Sequence, residues 1–177
     1  AARKGQPANL VEPDAPLLDL ALIRGTDTLR LDRWAFTAEP TSLTVADTVP
    51  GRFDMIAALL ALVLLRMERD RVLAEESVLL TELFVADMDA QLRETGVGDV
   101  VIGKHVGKLV SALGGRLGAF REALQSGAMA PFEAALERNT TMADEHPTPG
   151  LAKRLRRFYD KLSALDSKLL LAGEIAL

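Results

Sequence analysis

The sequence predicts an all-α protein, a single compact helical domain built around one buried central helix. Residues 55–65 form an unbroken run of apolar helix-forming residues, much shorter than the roughly 20 residues that cross a bilayer. The composition, 49% hydrophobic but only 5% aromatic, indicates a core of Leu, Ala and Val. The later segments repeat apolar residues at spacings of three and four, and 177 residues suit one domain.

The central helix is expected over residues 50–69, buried on nearly every side. Pro50 suits a first helical turn, where its missing N–H costs nothing. Asp54 places a carboxylate toward the positive end of the helix dipole, and Arg66 and Arg69 place cations toward the negative end.

Residues 1–46 are interpreted as a divergent N-terminal arm, separate from a helical domain over residues 47–177. Prolines punctuate its first sixteen residues, and no apolar stretch typical of a signal peptide follows the basic start. Within the arm we predict helices at 17–23 and 26–39, although Leu29 and Leu31 alternate like a strand.

A second long helix is predicted over residues 74–95, with Gly96 as its left-handed C-cap. Leu79, Leu80, Leu83 and Phe84 form its main apolar stripe. At 100° per residue, Asp87 lies on that same stripe and Asp89 points about 200° away from it. The two carboxylates therefore cannot share a metal ion or act as a catalytic pair.

A third helix is predicted over residues 102–125, after a tight connector at 97–103 in which Asp99 caps the helix. It contains Gly107, Gly114, Gly115 and Gly118, and each glycine costs about 0.5 to 1 kcal/mol relative to alanine. Close packing against another helix is the preferred explanation, and local mobility is the alternative.

Two helices complete the chain, a short one over 131–139 and a final one over 151–172, joined by a loop at 142–150. The final helix has a narrow apolar stripe that we expect to lie in the core. Its members are Leu151, Leu155, Phe158, Leu162, Leu165 and Leu169.

The final helix also concentrates positive charge in a chain whose net charge is −4. Five basic residues fall within about 100° of one another, opposite the apolar stripe. They are Lys153, Arg154, Arg157, Lys161 and Lys168. This basic face is either a solvated helix surface or a docking surface for anionic lipid, RNA or an acidic partner.

Catalytic, metal and cofactor motifs are not found, so we expect no enzyme, no bound metal and no cofactor. There is no cysteine, and His105 and His146 lack the spacing of zinc ligands. Residues 98–105 nearly match a phosphate-binding loop, but His105 replaces the hydroxyl residue and a helix precedes the glycine. The negative net charge argues against DNA binding.

Three strings in the sequence resemble the ubiquinol-cytochrome c reductase assembly chaperones, in a bacterial-type form. They are DTVPGRFDM at 47–55, FVADMD at 84–89 and LRETGVGD at 92–99. Weaker agreement comes from ALERN at 135–139 and LAG at 171–173. The motif residues carried over from this resemblance are Arg52, Phe53, Asp54, Phe84, Asp87, Met88, Asp89, Arg93, Gly96, Gly98 and Asp99.

The resemblance implies a non-enzymatic assembly factor for respiratory complex III, located in the cytoplasm and peripheral to the inner membrane. It implies cytochrome b or a complex III assembly intermediate as client, with a small partner protein, the ribosome or the anionic membrane surface as further contacts. The alternatives are a helical adaptor or homo-oligomeric scaffold without a membrane client, and an enzyme that uses Asp87 or Asp99 as an acid or base. We also predict that Arg52 and Asp87 are structural and pair with each other.

Overall fold

The computed structural model describes residues 20–21, 28–29, 49–94, 99–141 and 149–173. Two short strands, β1 at Leu20–Ala21 and β2 at Thr28–Leu29, precede six α-helices in this part of the chain. A 3₁₀ turn at Arg71–Leu73 leads into the second helix. The α-helices are α1 at Val49–Met67, α2 at Ala74–Glu94, α3 at Asp99–Gln125, α4 at Met129–Asn139, α5 at Pro149–Ala164 and α6 at Ser167–Leu171. The all-α prediction is confirmed.

The central helix is confirmed as α1. Every residue from 55 to 65 is at most 6% exposed, because α2, α3 and α5 all pack against this helix. The helix begins one residue before Pro50 and ends at Met67, two residues short of the predicted end. The chain turns at Asp70, which has an extended backbone and whose side chain accepts a hydrogen bond from the Val72 N–H.

Helices α2 and α3 match two predicted helices, but α3 begins at Asp99 instead of residue 102. The glycines of α3 do not lie in a close helix contact. A Cβ added at Gly107, Gly114, Gly115 or Gly118 would meet no atom within 4 Å. The packing explanation for these glycines is therefore wrong, since all four positions have open space around them.

The final helix is not continuous, which corrects the prediction over residues 151–172. It breaks between α5 and α6, where Asp166 has an extended backbone and accepts hydrogen bonds from the Lys168 and Leu169 N–H groups. Arg66 holds the end of α5 by donating to the Leu162 and Leu165 carbonyls at 3.1 and 2.7 Å. Arg66 is only 8% exposed, so these hydrogen bonds fix the end of α5 to α1 inside the protein.

The N-terminal arm contains an antiparallel strand pair. Strand β1 at Leu20–Ala21 pairs with β2 at Thr28–Leu29, and β1 lies against α2. The helical prediction is wrong at these four residues, because the strand-like alternation around Leu29 prevailed over helix propensity. The remainder of the predicted arm helices lies outside the described residues.

Four phenylalanines are the largest fully buried side chains of the core: Phe84, Phe120, Phe132 and Phe158. Phe120 and Phe132 meet edge to face across α3 and α4, with ring centroids 5.4 Å apart.

None of the described helices is both long enough and apolar enough to span a bilayer.

Candidate functional site

The central polar feature is an ion pair between Asp54 of α1 and Arg116 of α3. The Arg116 side chain is 5% exposed and that of Asp54 is 15% exposed. Asp54 also accepts hydrogen bonds from the N–H and hydroxyl of Thr141, at 2.8 and 2.6 Å. Arg116 donates through Nε to the Asn139 carbonyl at 2.9 Å. The pair therefore joins α1, α3 and the end of α4.

Burial lowers the pKa of the Arg116 guanidinium, while the charge and hydrogen bond of Asp54 act in the opposite direction. Asp54 is the group that keeps this buried cation compensated. Asp54 lies beyond the first turn of α1, so it does not interact with the helix dipole as predicted. It forms this ion pair instead. The sequence interpretation missed Arg116. An arginine in a helix stripe whose other residues are apolar or small was a signal of a buried ion pair.

Two of the motif strings meet around this pair. The Arg116 guanidinium lies 5.6 Å from the centre of the Phe53 ring, and Phe53 is 6.0 Å from Phe84. Residues 53 and 54 come from the first string and residue 84 from the second. These motif residues therefore form one structural cluster that ties α1, α2 and α3 together.

The remaining motif residues on α2 divide by burial. Met88 is 5% exposed and belongs to the core, and Asp87 is half-buried. Asp89 pairs with Arg93 one turn later, at 2.9 Å, in a pair that is partly exposed to solvent. The side chains of Arg52 and Asp99, together with Gly96 and Gly98, lie outside the described residues. The pairing of Arg52 with Asp87 and the capping role of Asp99 therefore remain predictions.

The break between α5 and α6 divides the basic face. Lys153, Arg154, Arg157 and Lys161 lie on α5, while Lys168 lies beyond the break on α6. Lys153 and Arg157 are exposed, and Arg154 and Lys161 are half-buried. The expected five-residue face is thus a four-residue face on α5.

The apolar stripe opposite the basic face is divided at the same place. Leu151, Leu155, Phe158 and Leu162 are buried against α1 and α4. Leu165 is only partly buried, and Leu169 on α6 is 39% exposed. The prediction of one continuous buried stripe is therefore correct for α5 and wrong beyond it.

A groove of about 840 Å³ runs along α2 beside the start of α3. One row of its lining residues repeats every four positions along α2, and a second row lies next to it. The lining residues are Ser77, Thr81, Val85, Asp89 and Arg93, then Val78, Glu82 and Ala86, with Gly103 and Val106 from α3. We call this feature the α2–α3 groove.

The apolar surface continues from the groove around the outer side of α2. Val78 is 56% exposed, and Leu79 and Leu83 are 41% and 39% exposed. Helix α2 is therefore apolar on two sides, since its other side carries Leu80, Phe84 and Met88 into the core. The sequence interpretation placed Leu79 and Leu83 on the buried stripe, and the structure places them at the surface.

The described residues contain no cluster of three or more histidine or acidic side chains that could hold a metal ion. Gly103, Lys104 and His105 lie inside the continuous helix α3. The near match to a phosphate-binding loop is therefore helical from residue 99 onward and does not form the glycine-rich loop that the motif requires.

Comparisons with known proteins agree with the resemblance of the motif strings. The ubiquinol-cytochrome c chaperone family matches residues 41–177. The crystal structure of the Cbp3 homolog from Brucella abortus superposes with a TM-score of 0.66 at 31% sequence identity, covering 76% of each chain. No curated protein gives a significant match. The chain belongs to the ubiquinol-cytochrome c chaperone family.

Proposed function

We propose that this chain is a non-enzymatic chaperone that binds cytochrome b, or an assembly intermediate containing it, at the membrane face during assembly of the cytochrome bc1 complex. Family membership over residues 41–177 carries the proposal. The exposed apolar surface of α2 and the basic face of α5 support it, because a chaperone for a membrane protein needs a client surface and a way to reach the bilayer.

A pull-down from solubilised membranes tests the choice of client. Cytochrome b in the eluate of the tagged chain supports the proposal, with a tagged unrelated helical protein as control. An eluate that contains only further copies of the chain would instead favour the homo-oligomeric scaffold, which is the second candidate. A reproducible small partner protein or ribosomal protein in the eluate would identify the additional contacts implied by the family.

The basic face of α5 provides the membrane attachment in this proposal. Basic residues near an anionic bilayer contribute roughly 1 kcal/mol each, so the four on α5 contribute several kcal/mol together. The attraction must weaken as salt rises, because the screening length falls to about 3 Å at 1 M. Lys153 and Arg157 are the exposed members of the face and can be changed with least effect on packing.

The double substitution Lys153→Glu, Arg157→Glu is therefore expected to weaken co-sedimentation with anionic vesicles at least tenfold, with helix content unchanged by circular dichroism. The matched control is Lys104→Glu, Lys108→Glu, which makes the same charge change at two exposed positions on α3. An equal loss in both variants would mean that net charge alone governs binding. Absence of vesicle binding by the wild-type chain at low salt would refute the membrane attachment.

A further inference from the structure

We propose that the outer face of α2 binds one amphipathic helix of a partner protein, a helix with two basic residues seven positions apart within its apolar side. The outer α2 face consists of the exposed residues of this helix from 75 to 90. They are two glutamates, Glu75 and Glu82, and five apolar residues, Val78, Leu79, Leu83, Ala86 and Ala90. This assignment rests on the proposed function for the biological source of the helix, and it deepens that function by naming the client surface and its chemistry.

The outer α2 face holds most of the exposed large apolar side chains in the described part of the chain. Val78, Leu79 and Leu83 are 56, 41 and 39% exposed. Together with Val72, in the 3₁₀ turn before α2, they are four of the six such side chains. A partner helix that covers them removes apolar surface from water, which favours binding.

Both glutamates lie within this apolar surface, so their charges select the occupant. At 100° per residue, Glu75 and Glu82 lie about 20° apart on α2. Val78 lies about 40° from Glu82 on one side, and Leu79 lies about 60° from it on the other. Neither glutamate forms an ion pair within the described residues. A partner that covers the apolar side chains therefore also covers two negative charges, and it needs basic groups to compensate them.

The lysines of the neighbouring helix do not neutralise these charges. Val106 is the α3 side chain that lines the groove beside α2. The exposed Lys104 and Lys108 lie two positions before and two positions after it, so they point about 160° away from Val106 on the helical wheel of α3. Basic groups for Glu75 and Glu82 must therefore come from the occupant.

The spacing of the glutamates selects a helix. Glu75 and Glu82 are two helical turns apart, about 10.5 Å, so basic residues seven positions apart on a partner helix reach both from one side. In an extended strand the same distance is about three residues, and residues three apart point to opposite faces. Seven positions further along α2, Asp89 is already paired with Arg93 at 2.9 Å. The occupant therefore needs two basic residues in this row and not three.

Charge also separates this occupant from other candidates. An anionic bilayer is repelled by the two glutamates, and so is the outer α2 face of a second copy. The basic face of α5 in a second copy matches the charge. None of the large apolar side chains exposed in the described part of the chain lies on α5, however, so that face cannot cover the apolar residues of α2.

The binding test uses the full chain and three labelled helical peptides of about 18 residues, rich in leucine and alanine. The first has two lysines seven positions apart within its apolar side, and the second has glutamates at those positions. The third has the composition of the first, with both lysines moved to the opposite side. Fluorescence anisotropy at low salt should show the first binding about tenfold tighter than the second and about fivefold tighter than the third. No binding of the first peptide, or equal binding of the first and either control, would overturn the proposal.

A reversal of charge on the protein locates the site. Glu75→Lys combined with Glu82→Lys should reverse the preference, so that the glutamate peptide binds tighter than the lysine peptide. The matched control is Glu122→Lys combined with Glu137→Lys, the same charge change at exposed positions on α3 and α4, which should keep the wild-type preference. Circular dichroism checks that both variants keep their helix content. An unchanged preference in the first variant, or a reversal in both, would contradict binding at the outer α2 face.

Leu83→Ala tests the apolar contact and should weaken binding of the lysine peptide about fivefold, because the partner helix covers the exposed part of this side chain. The matched control is Leu169→Ala on α6, since both leucines are 39% exposed. This control should leave binding unchanged. Equal weakening by the two variants would mean that the apolar contact is not made on α2.

Two findings would assign the outer α2 face to another occupant and so overturn the proposal. One is a dimer in sedimentation that the Glu75→Lys, Glu82→Lys variant dissociates, with no peptide bound, because a second copy then occupies the face. The other is a change in the fluorescence of Trp34, the only tryptophan of the chain, on Leu83→Ala, again with no peptide bound. In that case the chain's own N-terminal residues occupy the face.

The pull-down from membranes separates this proposal from the proposed function. If the lysine peptide binds with the expected preferences but the wild-type chain retains no cytochrome b, the surface assignment stands and the proposed function fails. If the wild-type chain and the Glu75→Lys, Glu82→Lys variant retain cytochrome b equally, the proposed function stands and the outer α2 face is not the client surface.

Discussion

Asp54→Ala is expected to lower the free energy of unfolding by about 3 to 5 kcal/mol, because it leaves the buried Arg116 guanidinium without its counter-charge. The loss includes the two hydrogen bonds that Asp54 accepts from Thr141. Chemical denaturation measured by circular dichroism gives the value. The matched control is Asp160→Ala, which breaks the exposed pair with Arg156 and should cost about 1 kcal/mol or less.

A double substitution separates the effect of losing the ion pair on stability from the effect of changed packing at this position. Replacing a buried ion pair by apolar residues of similar size is often close to neutral. Asp54→Leu combined with Arg116→Met should therefore be clearly more stable than Asp54→Ala alone. A double variant as unstable as the single one would contradict the view that an uncompensated charge causes the loss.

Phe84→Ala is the second change with a large expected effect, about 3 to 5 kcal/mol of lost stability. The Phe84 ring is fully buried and lies 6.0 Å from Phe53, beside the Arg116 cluster. For a chain of this length the loss corresponds to a fall in melting temperature of roughly 10 °C. Thermal unfolding followed by circular dichroism measures this fall.

Leu83→Ala provides the control for Phe84→Ala, since Leu83 is the adjacent residue and is 39% exposed. It should cost about 1 kcal/mol or less, because much of its side chain is already in water. Similar losses for the two variants would mean that Phe84 does not hold α2 against the core, and that the second motif string has a role other than packing.

The central helix was the most predictable part of the fold. An apolar run such as 55–65 has few alternatives in a chain of this size, since it is too short to span a bilayer and too apolar to face water. The predicted start of α2 at residue 74 matches the structure, and α4 begins at Met129, two residues before its predicted start.

The break between α5 and α6 was less visible, because an aspartate within a leucine pattern is compatible with a helix interior. Asp166 caps α6, and Arg66, which is distant in sequence, donates to the Leu162 and Leu165 carbonyls that end α5. The strand pair at β1 and β2 was missed although Leu29 and Leu31 alternate like a strand, because a strand of two residues is too short for that alternation to outweigh a helical interpretation.

The candidate site was predicted in part. The motif strings identified Phe53, Asp54 and Phe84, but only the fold brings them together around Arg116. The α2–α3 groove could not be derived from the helical wheel of α2 alone. That wheel shows one apolar stripe, but it does not show which side of α2 the neighbouring helices leave uncovered. The open space around the glycines of α3 could not be predicted either, since it depends on how the neighbouring helices pack.

The central claim, assembly of the cytochrome bc1 complex, is tested most directly by deleting the gene in its own organism and assaying ubiquinol-cytochrome c reductase in isolated membranes. The account predicts loss of the assembled complex and of its activity, and recovery of both when the wild-type chain is supplied. Membranes from the deletion strain with a normal amount of active complex would contradict the account.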